Sequence, residues 1–103
     1  MTSFLAMLQM PAFVKDKTVR LLYINRSAAR LWKVDGEESI GKGMPVGRQL
    51  EKHFRESDRK VIQRTAADVF FFPFQRPHLT VLQFAHVDPD GHRVIVGLVL
   101  THG

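Results

Sequence analysis

The sequence predicts an α+β fold, a five-stranded antiparallel sheet with its helices grouped on one face. Three observations carry that expectation. Two short β-rich runs follow a brief apolar helix, the middle of the chain keeps helical spacing, and three strand-like runs close it, giving the order β-β-α-α-β-β-β. Strong turn signals separate the paired runs, and no internal repeat interrupts the pattern.

Each element has a local reason. Ser3 can cap a first helix over Phe4 to Met10, where Phe4, Leu5, Met7 and Leu8 make the surface apolar almost all round, so this segment must lie against something. Pro11 ends it. Ala12 to Lys15 and Arg20 to Ile24 flank Asp16-Lys17-Thr18, which reads as a hairpin turn. Asn25 is a preferred N-cap; Ala28, Leu31 and Trp32 follow at the spacing of one apolar helical face, which Asp35-Gly36 closes. Gly36 to Gly47 holds four glycines and Pro45, the pattern of a loop with one helical turn at Glu37 to Ile40. From Arg48, Leu50, Phe54, Val61, Ile62, Thr65 and Ala66 recur at helical spacing, as one long helix or as two with a restart at Ser57-Asp58.

Strands then run over Val69 to Phe74, Leu79 to Val87 and Arg93 to Leu100. Pro73 cannot donate a ladder hydrogen bond, so its strand belongs at a sheet edge. Asp88-Pro89-Asp90-Gly91 joins the last two strands, with Pro presetting φ and Gly supplying a positive φ.

With 103 residues, 45% of them hydrophobic and 24% charged, the chain has room for one core. It holds no cysteine, which excludes disulfides, thiolate nucleophiles, Cys-ligated zinc and cysteinyl adducts. The apolar runs are far too short to span a bilayer and no secretory signal pattern opens the chain, so a cytoplasmic protein without membrane contact is expected. A net charge of +5 raises the question of nucleic acid. The basic residues form two helical stripes, Arg26, Arg30, Lys33 and Arg48, Lys52, Arg55, Arg59, without interleaved aromatics, the pattern of solvated outer faces. No direct nucleic-acid contact is expected.

Gly36 to Lys42 fits the spacing of a phosphate loop, but Gly43 stands where a hydroxyl must hold magnesium, and the flanking elements are wrong. His53, His78, His86, His92 and His102 never fall at the i, i+4 spacing of a helical metal site, so no metal is expected. Ser3, Ser27, Ser39 and Ser57 lack a nucleophile elbow.

Phe13-Val14-Lys15-Asp16, followed nine residues later by Asn25 within Leu22-Tyr23-Ile24-Asn25-Arg26-Ser27-Ala28-Ala29, resembles the first hairpin and Asn-capped helix of a PAS domain of the PAS-fold-4 type. Glu37-Glu38-Ser39-Ile40-Gly41-Lys42 is similar to that family's acidic-acidic-x-Ile-Gly-Lys loop, and Asp90-Gly91 and Val96-Gly97-Leu98 resemble its closing hairpin and last strand. Asp16, Asn25, Gly41 and Gly91 are the structural motif residues of this resemblance. It implies the strand order 2-1-5-4-3 and a sensory module of a bacterial signalling protein, with residues 1–10 as a cap helix and 11–103 as the domain. Two departures stand out: Val19 replaces the usual turn glycine, and the chain's end lacks the family's Asp-Ile-Thr signature.

The resemblance further implies a linked output domain, a histidine kinase, diguanylate cyclase or helix-turn-helix regulator, in a longer chain of which this is a fragment. The domain itself is then not an enzyme. Without cysteine, the covalent flavin and coumarate adducts of light-sensing relatives are excluded. Haem is not expected either, because His53 sits only near the start of the long helix. The ligand is unknown in identity and expected to be small, apolar or amphipathic, and non-covalent. Its expected lining is Trp32, Phe54, Ile62, Thr65 and Val99, between sheet and helices; plain core packing is the competing account.

A homodimer is expected through Phe4, Leu5, Met7 and Leu8 of the cap helix with Leu98 and Leu100 on the outer face of the last strand. The alternative is that the cap folds onto its own sheet in a monomer. The alternative function is a cone-shaped α+β enzyme similar to ketosteroid isomerase, for which Tyr23, Asp68 and Asp88 are the available donor and carboxylates.

Overall fold

A computed structural model describes residues 2–7, 9–64 and 66–102, with side chains described from Leu5 onward. The elements are α1 (Thr2–Met7), β1 (Ala12–Lys15), β2 (Leu21–Ile24), α2 (Arg26–Trp32), α3 (Gly36–Ser39), α4 (Arg48–Arg64), β3 (Asp68–Phe72), β4 (His78–Val87) and β5 (Arg93–His102). All five strands form one sheet in the order β2-β1-β5-β4-β3, antiparallel at every junction.

The first helix is displaced from its expected span. It begins at Thr2, so Ser3 lies inside it, and it ends at Met7 rather than Met10. The cause lies twenty residues away: Asn25 Nδ2 donates to the carbonyls of Leu5 (3.1 Å) and Met10 (2.9 Å), and Ser27 Oγ donates to that of Gln9 (2.7 Å). Met10 also precedes a proline, which disfavours helical backbone there.

Asn25 joins three elements. Its Oδ1 accepts from the Ala28 N–H as the α2 cap (2.9 Å) and from the Ala12 N–H at the start of β1 (3.0 Å). The helix stops earlier than Asp35-Gly36, because Lys33 turns left-handed at φ 55° and its N–H returns to Ala29 and Arg30. Asp35 instead caps α3, accepting from the N–H groups of Glu37 and Glu38. Gly41 N–H donates to Leu21 O and Leu21 N–H to Lys42 O, both at 2.8 Å, so the loop that mimics a phosphate cradle is tied to β2.

The long helix is continuous over 17 residues. Ser57 and Asp58 are not a restart; both are buried on the face that α4 turns to the sheet. Strand β3 ends at Phe72, short of Pro73, and lies at the sheet edge as proline chemistry requires. At the β4–β5 turn Asp88 Oδ1 accepts from the N–H groups of Asp90 (3.0 Å) and His92 (2.8 Å), and Gly91 takes φ 84°.

The inner face of the sheet packs on α2 and α4 through Phe13, Leu79, Val81, Val99, Leu50 and Phe54. On the outer face Leu5 of α1 is buried against Ala12, Val14, Val94 and Val96.

Candidate functional site

The space beneath α4 is occupied by aromatic rings. Phe13, Trp32 and Phe54 meet with centroids 6.0 Å (Phe13–Trp32), 5.6 Å (Phe13–Phe54) and 6.3 Å (Trp32–Phe54) apart, and Phe70 stacks edge-on to Phe54 at 5.2 Å. Of the expected lining, Trp32, Phe54 and Val99 therefore gather in one packed cluster. Ile62 is half-buried one side further out, and Thr65 lies outside the described residues.

Ile62 and Phe54 instead face a groove of about 390 Å³ between α4, the β1–β2 turn and the loop after α3. Val19 and Met44 complete its apolar wall, and Asp58 lies among its lining residues. Val19 stands there in the left-handed region at φ 60°, strained for a β-branched side chain. The turn that holds it is pinned by Asp16, whose Oδ1 accepts from Thr18 N–H (2.8 Å), Thr18 Oγ (2.6 Å) and Arg20 N–H (3.1 Å). Burial is the largest single influence on the Asp16 carboxyl and raises its pKa, but the bonds from Thr18 and Arg20 and the Arg20 charge together outweigh it and hold the carboxyl below the usual carboxylate range.

Next to the groove lies a buried polar network that links three elements. Lys15 Nζ of β1 donates to Asp58 Oδ1 of α4 at 2.5 Å, and Gln83 Nε2 of β4 donates to the same oxygen at 2.9 Å and to Ser57 Oγ at 3.0 Å. Lys15 and Gln83 are wholly buried. The ammonium also sits 5.3 Å from the Phe13 ring centroid and 5.0 Å from that of Phe54. Burial pushes the Lys15 pKa down from the usual lysine value, and the charge and hydrogen bond of Asp58 oppose that shift. Gln83 Oε1 and Trp32 Nε1 are buried with no hydrogen-bond partner among the described residues.

Sequence reasoning missed this network. A signal was present: Lys15 lies two residues after Phe13, on the same face of β1, and Asp58 lies four after Phe54 on the apolar face of α4. Opposite charges on two inward-facing positions point to a buried pair.

The other singled-out residues do not converge. His53 packs against Phe70, Phe72 and Phe74 beside the edge strand, its Nδ1 3.1 Å from Gln49 O. Tyr23 lies on β2 and Asp68 on β3, the opposite edges of the sheet, while Asp88 is engaged in its own turn, so these three build no common catalytic site. Asp88, Asp90 and His92 bring ligand atoms within 4.8 Å of one another, an arrangement set by the same turn.

Of the residues expected at a dimer interface, Leu5 is covered by its own sheet, and Leu98 is half-buried beside it. Met7 (82% exposed) and Leu100 (52%) face solvent. The Phe4 side chain and Leu8 lie outside the described residues.

No family model and no curated sequence matches the chain. Solved structures do match in fold. The PAS domain of BvgS from Bordetella pertussis superposes with a TM-score of 0.79 at 17% identity, covering 98% of this chain and 82% of that one. The photoactive yellow protein domain of the sensor histidine kinase Ppr from Rhodospirillum centenum gives 0.75 at 18% identity over 97% of this chain and 92% of that one. The VqmA dimer of Vibrio cholerae gives 0.80 at 17% identity over 99% of this chain, which spans 50% of that longer one. No helix among the described residues is long and apolar enough to cross a membrane. The strand order, the Asn-capped helix and these superpositions agree that the chain has the PAS fold.

Proposed function

We propose that this chain is a cytoplasmic sensory module that binds a small apolar or amphipathic ligand without a covalent bond, pairs with a second copy, and biases a linked output domain. The observation that carries the reading is the groove over α4, set on a fold that solved sensor-kinase PAS domains and a LuxR-type receptor share. The phage VqmA–DPO complex and the Vibrio cholerae VqmA–ligand–DNA complex share this fold, which supports a ligand-binding role.

The Lys15–Asp58–Gln83 network supplies a physical route for the signal. Asp58 belongs both to the groove and to the network, so occupancy beside it changes how α4 is held to β1 and β4. A ligand shifts the population only if it binds one packing better than the other, and a change in this buried pair provides such a difference. The output is a kinase, cyclase or DNA-binding domain joined to this module, and the module itself does no chemistry.

Native mass spectrometry and a visible absorption spectrum of protein purified from cytosol test the reading. A retained small molecule whose removal alters the monomer–dimer balance is the expected result. A ligand-free monomer that is indifferent to extracted cytosolic small molecules would overturn it.

A further inference from the structure

The groove's charges do not balance. Five ionisable side chains line it: Lys17, Glu51, Arg55, Asp58 and Arg59. Asp58 is neutralised by Lys15, and Arg55 pairs with Glu51 one helical turn away. The side chains of Lys17 and Arg59 have no hydrogen bond or ion pair among the described residues. What remains is an apolar trough with two unopposed cations at its rim.

The backbone supports the same reading from a separate direction. Val19 holds a conformation that suits glycine, yet its side chain forms part of the trough wall. Strain of this kind persists where the surrounding structure over-determines it, commonly at ligand sites. Here the Asp16 bonds over-determine the turn.

Building on the ligand-binding reading above, we infer that the groove between α4 and the β1–β2 turn takes a monocarboxylate with an apolar body. Lys17 and Arg59 hold the carboxylate, and Val19, Met44, Phe54 and Ile62 receive the body. A neutral apolar ligand leaves both cations unanswered, and a cation is repelled by them. Asp58 does not repel the carboxylate, because its charge is already met by Lys15.

The test titrates the full chain with decanoate and with decanol, each kept monomeric, and follows the methyl signals of Val19, Met44 and Ile62 by NMR. Decanoate is expected to bind about tenfold tighter than decanol, the difference made by a charged hydrogen bond, and to weaken as salt is raised. Replacing both exposed cations (Lys17→Gln with Arg59→Gln) should bring decanoate down to the decanol affinity and leave decanol unchanged. Equal affinity of the two probes, or insensitivity to the double replacement, would overturn the carboxylate assignment and leave a neutral-ligand sensor standing. Shifts confined to Met7 and Leu100 on the outer face, or no binding of either probe, would overturn the groove assignment; the sensory reading then stands or falls on native mass spectrometry alone.

Discussion

On the inner face of the sheet, Phe13, Leu79, Val81 and Val99 are sealed beneath α4 with a charged pair buried among them, whereas on the outer face α1 covers Ala12, Val14, Val94 and Val96 and leaves a strip beyond them in water. That strip follows the register: Phe71, Thr80 and Leu100 are cross-strand neighbours, with Phe71 and Leu100 each 52% exposed. Both faces are apolar, so hydrophobic content does not separate them. What separates them is tolerance: the inner face has no room for an atom added at Gly97 and holds its buried charge only as a pair, and the outer face has room for another surface.

The largest expected effect breaks the inner face at its charge pair. Asp58→Ala leaves the Lys15 ammonium buried without a counter-ion, which costs about 3–5 kcal/mol of unfolding free energy. Replacing the pair together, Lys15→Met with Asp58→Leu, should recover most of that loss, and urea denaturation of the three proteins checks it. The pH dependence has a defined sign. A lysine whose folded pKa is lowered binds fewer protons in the folded than in the unfolded chain between its folded value and the unperturbed 10.5. Stability attributable to Lys15 therefore rises with pH through that window, and the rise should vanish in the doubly replaced protein.

Next comes the close approach of Phe13 to Gly97 in the core. A Cβ added at Gly97 would lie 2.0 Å from Phe13 Cζ and 2.2 Å from Cε2, because the Phe13 ring crosses its strand neighbour. That ring cannot swing away, being fixed by Trp32 and Phe54. Gly97→Ala should cost about 1–3 kcal/mol by overpacking, and Phe13→Leu in the same chain should lessen the penalty. If thermal unfolding shows Gly97→Ala to be neutral, the inner face is looser than its packing implies.

A smaller effect, of opposite sign, is expected at the groove. Val19→Gly removes the left-handed strain of about 1–2 kcal/mol but adds unfolded-chain freedom of about 0.5–1 kcal/mol, so a net stabilisation of about 0.5 kcal/mol should appear. The same change removes part of the trough wall, so decanoate affinity should fall while stability rises. Stability and affinity moving together would separate the strain from any role in binding.

How far the sequence foretold each region depends on how local the causes are. Asn25 as a cap, the Asp88–Gly91 turn and the edge position of the Pro73 strand rest on neighbouring residues, and the structure has them so. The end of α1 is not legible locally, because Asn25 takes the Leu5 carbonyl and, with Ser27, holds the Met10 and Gln9 carbonyls beyond the helix from well downstream. Strand β3 stops before Pro73 instead of running to Phe74, a boundary that alternation alone does not mark. The charged network joins positions 43 and 25 residues apart, and only the inward placement of each partner hints at it. The groove is less legible still, since Val19 enters it through a backbone conformation that its residue type disfavours.

The smallest stability effect belongs to the outer face, and it sharpens the comparison most. Leu100→Arg alters a half-solvated position whose neighbours across the sheet are Thr80 and Phe71, so the folded chain should change by less than about 0.5 kcal/mol. Its effect on association should be far larger. If a second copy covers the strip beyond α1, an arginine there places a charge in an apolar contact, opposite its own image across a two-fold axis. Sedimentation should show the parent chain dimeric at tens of micromolar and the Leu100→Arg chain monomeric, with matching urea midpoints once the parent is diluted to monomer. Met7→Arg on the exposed side of α1 tests the same surface at its other margin, since Met7 is 82% exposed. Parent and variants sedimenting alike as monomers would mean that α1 alone completes the outer face, and a dimer that survives both changes would place the contact on another surface.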